Sequence, residues 1–155
     1  MTIRFAEFEE LDRVNELRKQ VNDLHAEGKP EIFKAGFPDE LRDYVYEIFR
    51  DERKKILVCE SEGTICAFAV LHRVTRPETP FMYEREYLDI DEFCVDEALR
   101  RKGIGEEMVR FIRDYALHEG FERIELNMWE FNRDALAFYE AVGFDTYRRY
   151  MEMKP

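Results

Sequence analysis

Residues 100–105 read Arg-Arg-Lys-Gly-Ile-Gly, the most informative short motif of the sequence. It follows a run of strand-forming residues, 87–95, and precedes residues 104–115, where apolar side chains recur at helical spacing. Glycines at a strand-to-helix turn let the backbone approach an anion closely, and the amino terminus of a helix attracts negative charge. The three cations immediately before Gly103 add to that attraction. The stretch therefore predicts a phosphate-binding loop.

Two common glycine-loop motifs do not fit this stretch. A dinucleotide-binding fingerprint needs a third glycine where Met108 stands, and no GxxxxGK[ST] sequence is present. A basic loop can also cap a helix or bind nucleic acid. The net charge is −11, from 24 basic and 35 acidic residues, so the chain as a whole repels phosphate backbones. We therefore expect no nucleic-acid partner, and the acidity suits a cationic substrate or serves solubility alone.

Working outward from the loop, periodicity and turn residues predict the order β-α-α-β-β-β-α-β-α-β. The predicted strands are residues 2–6, 56–59, 65–74, 87–95, 124–129 and 144–153, and the predicted helices are 11–24, 39–52, 103–118 and 132–142. Hairpin strands come first and helix-crossed strands later, which is typical of an α/β fold of the α+β type. We expect a mixed, mostly antiparallel sheet of six to seven strands with helices on both faces. The length predicts a single domain, residues 1–155.

A second motif lies near the carboxyl end. Residues 132–144 read Asn-Arg-Asp-Ala-Leu-Ala-Phe-Tyr-Glu-Ala-Val-Gly-Phe, which resembles the N-x-x-A-x-x-F-Y-x-x-x-G-F signature of many GNAT N-acyltransferases. The R-x-x-G-x-G pattern from Arg100 to Gly105 is similar to the pyrophosphate-binding motif of the same superfamily. Both motifs follow strands and stand in the family's order, and the predicted element order resembles the GNAT-like fold over nearly the whole chain.

The resemblance implies an enzyme, an N-acetyltransferase that moves an acetyl group directly from acetyl-CoA to a primary amine in a ternary complex. Family members bind CoA through the phosphate loop, through backbone groups of a splayed strand, and through the second motif. The matching positions here are Phe93, Cys94, Val95, Arg100, Arg101, Lys102, Gly103, Ile104, Gly105, Asn132 and Phe138. The matching tyrosine, Tyr139, donates a proton to the departing thiolate. A phenol of ordinary pKa near 10 suits that task.

An acidic run precedes the loop and offers candidates for the base. An ammonium acceptor must lose a proton before it attacks, which makes a nearby carboxylate useful. We rank Glu92 first, then Asp91, then Asp89, and a solvated or cation-binding role for each stays open. In a regular strand Asp89 and Asp91 share one face and Glu92 takes the other, and a bulge would change this.

Other features leave alternatives open. The segment Gly28–Pro38 is either a binding loop or a loop pinned by its aromatic residues. A non-catalytic acyl-CoA-binding or regulatory domain is the second functional hypothesis. The scattered histidines and three unpaired cysteines predict no metal site, and the cysteines indicate a reducing compartment, the cytoplasm. No apolar run has the length of a membrane helix. A homodimer is common among such proteins.

Overall fold

A computed structural model describes residues 1–155. One sheet contains five strands in sequence order, and four helices flank it. The strands are β1 (Thr2–Phe5), β2 (Lys54–Ser61), β3 (Thr64–Arg76), β4 (Arg85–Val95) and β5 (Ile124–Leu126), and the helices are α1 (Leu11–Gly28), α2 (Asp39–Arg50), α3 (Ile104–His118) and α4 (Arg133–Ala141). The pairings β1–β2, β2–β3 and β3–β4 are antiparallel, and β4–β5 is parallel. The mixed, mostly antiparallel sheet is therefore confirmed.

Two apolar cores lie on opposite faces of the sheet. Alternate residues of β2 and β3 point to opposite sides, which divides them between the cores. The first core joins α1 and α2 to Ile56, Val58, Phe68 and Val70. The second joins α3 to Leu57, Ala69, Leu88 and Ile90. Helix α4 is on the α3 side, because the Phe138 ring lies against Gly105 at the start of α3. The prediction of helices on both faces is confirmed.

The sheet is smaller than predicted. The expected last strand at 144–153 does not form, and residues 145–155 make no backbone–backbone hydrogen bond. Both alternating faces of this segment mix charged and apolar side chains, so neither face can be buried cleanly against a core. The expectation of six to seven strands is therefore wrong. Strand β5 is also shorter than predicted, since it ends at Leu126.

Two irregularities of β4 prepare the site. A register shift opposite Val70 and Leu71 leaves Asp91 as an extra residue, so the strand has a β-bulge there. On its other side, β4 pairs with β5 only through Leu88–Ile90. Residues 91–95 therefore continue beyond the end of β5, and a gap opens between the two strands. We call this opening the β4–β5 gap.

Candidate active site

The phosphate loop lies at the end of the gap. Gly103 caps α3 with a φ of 80°, a left-handed conformation that favours glycine, and a Cβ there would meet nothing within 4 Å. Gly105 is glycine for another reason, because a Cβ would come 3.0 Å from the Phe138 ring. Arg100, Arg101 and Lys102 are exposed beside the first turn of α3. This turn offers free N–H groups and cations to an anion.

Backbone groups of β4 face the gap. Asp96 N donates to Cys66 O of β3, so by the alternation of an antiparallel ladder the N–H groups of Phe93 and Val95 point away from β3, toward the gap. Arg100 Nε donates to Val95 O at 3.1 Å, which confirms this direction for Val95. Cys94 lies between them with its thiol buried in the α1-side core.

Cys94 is not suited to act as a nucleophile. Burial raises the pKa of its thiol to about 11, so the thiol stays protonated at neutral pH. All three cysteines are buried and free. A covalent acyl-cysteine route therefore has no support from the geometry.

Tyr139 stands on the α4 side of the gap. Its ring centroid lies 6.2 Å from that of Phe93, 5.3 Å from that of Phe138 and 5.6 Å from that of Phe144. Burial is the main cause that raises the pKa of Tyr139 to about 12. The phenol is therefore a protonated donor at neutral pH, which suits an acid and excludes a base.

Asn132 begins α4 as its cap. The side-chain Oδ1 accepts a hydrogen bond from Ala135 N at 3.2 Å, as is usual for an asparagine that caps a helix. The other amide atom, Nδ2, makes no hydrogen bond within the protein. It can therefore still contact a ligand, so the two predicted roles are compatible in this geometry.

The three carboxylates of β4 lie on the face covered by α1 and α2. The bulge at Asp91 brings Glu92 to the same side as the two aspartates, where a regular strand would have placed it opposite. Arg18 of α1 donates to Glu92 Oε2 at 2.9 Å. Lys54 Nζ lies 3.0 Å from Asp91 Oδ2, and His72 Nδ1 lies 3.6 Å from the same oxygen.

Asp89 differs from its neighbours because no cation pairs with it. The salt bridges of this face involve Asp91 and Glu92, and none involves Asp89. Burial, followed by a hydrogen bond and repulsion from Asp91, raises the pKa of Asp89 to about 7. Repulsion from Glu125 of β5 acts in the same direction. The Asp89–Asp91 pair can therefore hold one proton near neutral pH.

Sequence reasoning missed the cations of this site. Arg18, Lys54 and His72 were not singled out for a functional role. A signal for Arg18 was present, since it lies between Val14 and Val21 on the apolar stripe of α1, where a charged side chain is rare without a partner. Lys54 and His72 carry no comparable signal, because only the pairing of β2 and β3 brings them together.

An aromatic cluster covers the carboxyl end of α1. His25 stacks on Phe33 at 4.8 Å between ring centroids, and Phe33 meets Trp129 at 5.1 Å. A Cβ on Gly28 would lie 2.1 Å from the Phe131 ring, so this close approach requires glycine. The loop 28–38 is thus held by its aromatic residues, as one of the two interpretations expected. Trp129 remains 37% exposed and leaves one side of the cluster accessible.

The comparisons with known proteins match this geometry. The sequence model of the acetyltransferase (GNAT) family matches residues 18–144, which include both motifs and β4. The chain belongs to the GNAT acetyltransferase family. A mutant of the BH1408 protein from Bacillus halodurans superposes on this chain with a TM-score of 0.95 at 31% identity, covering 100% of this chain and 99% of that one.

More distant structures share the GNAT fold. The aminoglycoside N-acetyltransferase AAC(6')-Iy in complex with CoA has a TM-score of 0.76 at 16% identity, over 99% of this chain and 93% of that one. A ribosomal-protein-alanine N-acetyltransferase from Brucella melitensis has a TM-score of 0.73 at 16% identity, over 99% of both chains. Among curated sequences, mouse N-acetyltransferase family 8 member 3 is 29% identical over 87 residues, which are 56% of this chain and 37% of the mouse protein.

Two further observations describe this GNAT chain. No group of three or more histidine, cysteine, aspartate or glutamate side chains is arranged to hold a metal ion. None of the helices combines the length and the apolar character that crossing a membrane requires.

Proposed function

We propose that this chain, as one domain of residues 1–155, is an N-acetyltransferase that moves an acetyl group from acetyl-CoA to a primary amine. The observation that carries the proposal is the β4–β5 gap. The phosphate loop lies at its end, Tyr139 on its α4 side, and the β4 carboxylates on the face covered by α1. A thioester in the gap would have a proton donor on one face and a proton acceptor on the other.

The residues that fit acetyl-CoA are those that face this gap. Gly103, Ile104 and Gly105 at the start of α3 would hold the pyrophosphate, with Arg100, Arg101 and Lys102 beside them. Backbone N–H groups of Phe93 and Val95 are free for the pantetheine arm and the thioester carbonyl. Asn132 and Phe138 border the same space from α4.

The reaction would proceed by direct attack in a ternary complex. The acceptor ammonium gives a proton to the Asp89–Asp91 pair, and the neutral nitrogen attacks the thioester carbon. Phe93 N–H donates to the oxygen that becomes negative. The C–S bond then breaks, the thiolate takes the proton of Tyr139, and the extra proton on the amide nitrogen passes to the Tyr139 oxygen, which restores the phenol. Glu92 is already bound to Arg18, so we favour the aspartate pair as the base.

A cationic amine is the substrate class that the site suits. Asp89, Asp91 and Glu125 line the acceptor side. Asp91 has a cation within salt-bridge distance, Glu125 is paired with Arg85, and Asp89 has no such partner. AAC(6')-Iy, which shares the fold, was solved with a CoA-acetylneamine bisubstrate analog. We include aminoglycosides beside polyamines and peptide amines among the acceptors to test.

Thermal unfolding with acetyl-CoA, with ATP and NAD as controls, tests the cofactor. A ligand at about 100 times its Kd adds roughly 2.7 kcal/mol to the free energy of unfolding, which for a chain of this size raises Tm by about 5–10 °C. Turnover with spermidine, kanamycin or an alanine-ended peptide then tests the enzyme. A Tm shift without turnover would favour the non-catalytic acyl-CoA-binding alternative, and no shift would contradict both.

A further inference from the structure

Arg18 is a buried arginine with partners on three separate segments. Its side chain is 4% exposed. Besides Glu92 of β4, it donates through Nη1 to Asn15 Oδ1 at 3.0 Å and to Leu41 O at 2.6 Å. Leu41 lies in the first turn of α2, so a single guanidinium connects α1, the start of α2 and the strand at the thioester end of the gap.

Burial of such a group is costly for stability. A guanidinium and a carboxylate each lose several kcal/mol of hydration when they are buried, and their attraction offsets this only with good geometry. Three of the contacts go to Glu92, since Nε reaches both carboxylate oxygens and Nη2 reaches Oε1 at 3.2 Å. Packed apolar residues would stabilise the fold at least as well. Stability alone therefore does not explain the presence of Arg18 at this position.

One partner of Arg18, Leu41, belongs to segment 34–41, where the acceptor of the proposed reaction would bind. All residues of this segment except Asp39 line an open depression of about 760 Å³. Asn22, one turn beyond Arg18 on α1, donates to Gly36 O of the same segment at 2.6 Å. Arg18 differs from Asn22 because it contacts both this segment and β4.

We infer that Arg18 is a positioning residue that locks the acceptor segment 34–41 to β4, through Leu41 O on one side and Glu92 on the other. The lock sets the distance between the surface that receives the amine and the strand that receives the thioester. Glu92 is the residue of β4 that Arg18 binds in this arrangement. The effect on catalysis rests on the proposed function, whereas the mechanical coupling does not.

Amide hydrogen exchange of segment 34–41 tests the coupling in Glu92→Gln, a change on β4 that touches no residue of the segment. We expect exchange there to become about tenfold faster, the size of effect seen for residues that share one buried network. Exchange in β2 and β3 should stay unchanged. In a protein that already carries Arg18→Lys, the further change Glu92→Gln should accelerate exchange at 34–41 only slightly. Unchanged exchange at 34–41, or equal acceleration in β2 and β3, would overturn the inference.

Kinetics supply the second readout, and Arg4→Lys is the matched control. Arg4 binds two carboxylates, Glu10 and Glu60, at 2.6 and 2.7 Å, far from the gap. With spermidine or kanamycin as acceptor, Arg18→Lys and Glu92→Gln should each raise the amine KM about tenfold and keep the Kd of acetyl-CoA within about twofold. An amine KM like that of Arg4→Lys would contradict the inference. Absence of turnover in the unmodified chain would count against the proposed function instead, and the exchange result would still decide the lock.

Discussion

Tyr139 shows how one side chain acquires its role from its surroundings. Three aromatic rings surround the partly buried Tyr139 side chain, and this burial raises its pKa to about 12. A phenol of ordinary pKa would remain protonated at neutral pH as well. The further rise favours the protonated phenol, so Tyr139 would act as a hydrogen-bond donor to a departing thiolate, and its proton would transfer only if the reacting nitrogen reprotonates the phenol.

Tyr139→Phe should lower kcat about 100-fold, within the range for loss of a general acid. The Kd of acetyl-CoA should stay within about twofold, because the ring and its packing remain. Tyr115→Phe is the control, since Tyr115 is a partly buried phenol on α3 that contacts Phe5. Stopped assays of acetyl-CoA consumption measure both variants. An unchanged kcat in Tyr139→Phe would exclude the acid role.

Asp89→Asn should stabilise the protein in a pH-dependent way. The folded-state pKa of about 7 lies above the ordinary value, so the folded protein holds a proton that the unfolded chain releases, and stability falls as pH rises from about 4 to 7. The variant should therefore raise Tm at pH 8 and change it little at about pH 3.5, below the unfolded-state pKa, and it should abolish the low-pH limb of kcat/KM. Asp43→Asn, at an exposed position of α2, is the control. An equal Tm change at both pH values would contradict the assignment.

The phosphate loop shows that the role of a structural element also depends on its surroundings. Gly103 ends one segment and begins α3 in a left-handed conformation, with open space where a side chain would be. Gly63 in the β2–β3 turn has a nearly equal φ of 76° and equally open space. The two glycines therefore form a matched pair, since a substitution at either would meet the same backbone penalty in different surroundings.

Gly103→Glu should abolish acetyl-CoA binding, because it adds bulk and negative charge where the pyrophosphate would lie. Gly63→Glu should lose similar stability from its positive φ and keep the affinity. Calorimetric titration with acetyl-CoA measures both. Equal affinities in the two variants would show that the loop does not bind the cofactor.

Most elements were predictable because local patterns determine them. The observed ends of helices and strands match the predicted ends to within a few residues where a local signal defines them. These signals are the apolar stripe of α1, the Ser61–Thr64 turn, the Asn132 cap and the glycines at 103 and 120. The failures depend on non-local facts. Whether 144–153 pairs depends on a neighbour, and β5 offers it an edge of only three residues. The bulge at Asp91 is likewise set by the register with β3.

The candidate site likewise has parts that local sequence determines and parts that only the assembled sheet determines. The two motifs predicted the loop, Tyr139 and the strand that carries the carboxylates, because each lies within a short stretch of sequence. The pairing of those carboxylates could not be predicted, since Lys54 and His72 come from other strands and meet Asp91 only in the assembled sheet. The base proposed above differs from the first-ranked Glu92 because Arg18 of α1 binds that carboxylate, a contact between distant parts of the sequence.

The net charge of −11 gives the whole molecule a negative field. A cationic acceptor is attracted by this field, and the attraction is screened over about 10 Å at 0.1 M ionic strength. A cationic body would give the opposite dependence.

The amine KM should therefore rise several-fold between about 0.05 and 0.5 M NaCl, with a steeper rise for trivalent spermidine than for a monoamine of similar length. Initial rates at constant acetyl-CoA concentration measure this, and sucrose at matched osmolality controls for nonspecific effects. Equal slopes for the two amines would mean that the field does not contribute to acceptor binding.

The strand order β1-β2-β3-β4-β5 follows the order of synthesis. Each strand that emerges from the ribosome can pair with the strand made before it, so the antiparallel part of the sheet can assemble while the chain is still being translated. The β4–β5 gap needs β5 and α4, which are made last. A nascent chain that ends before residue 124 therefore has the antiparallel sheet but lacks the β4–β5 gap, and the proposed cofactor site can form only after residues 124–141 are made.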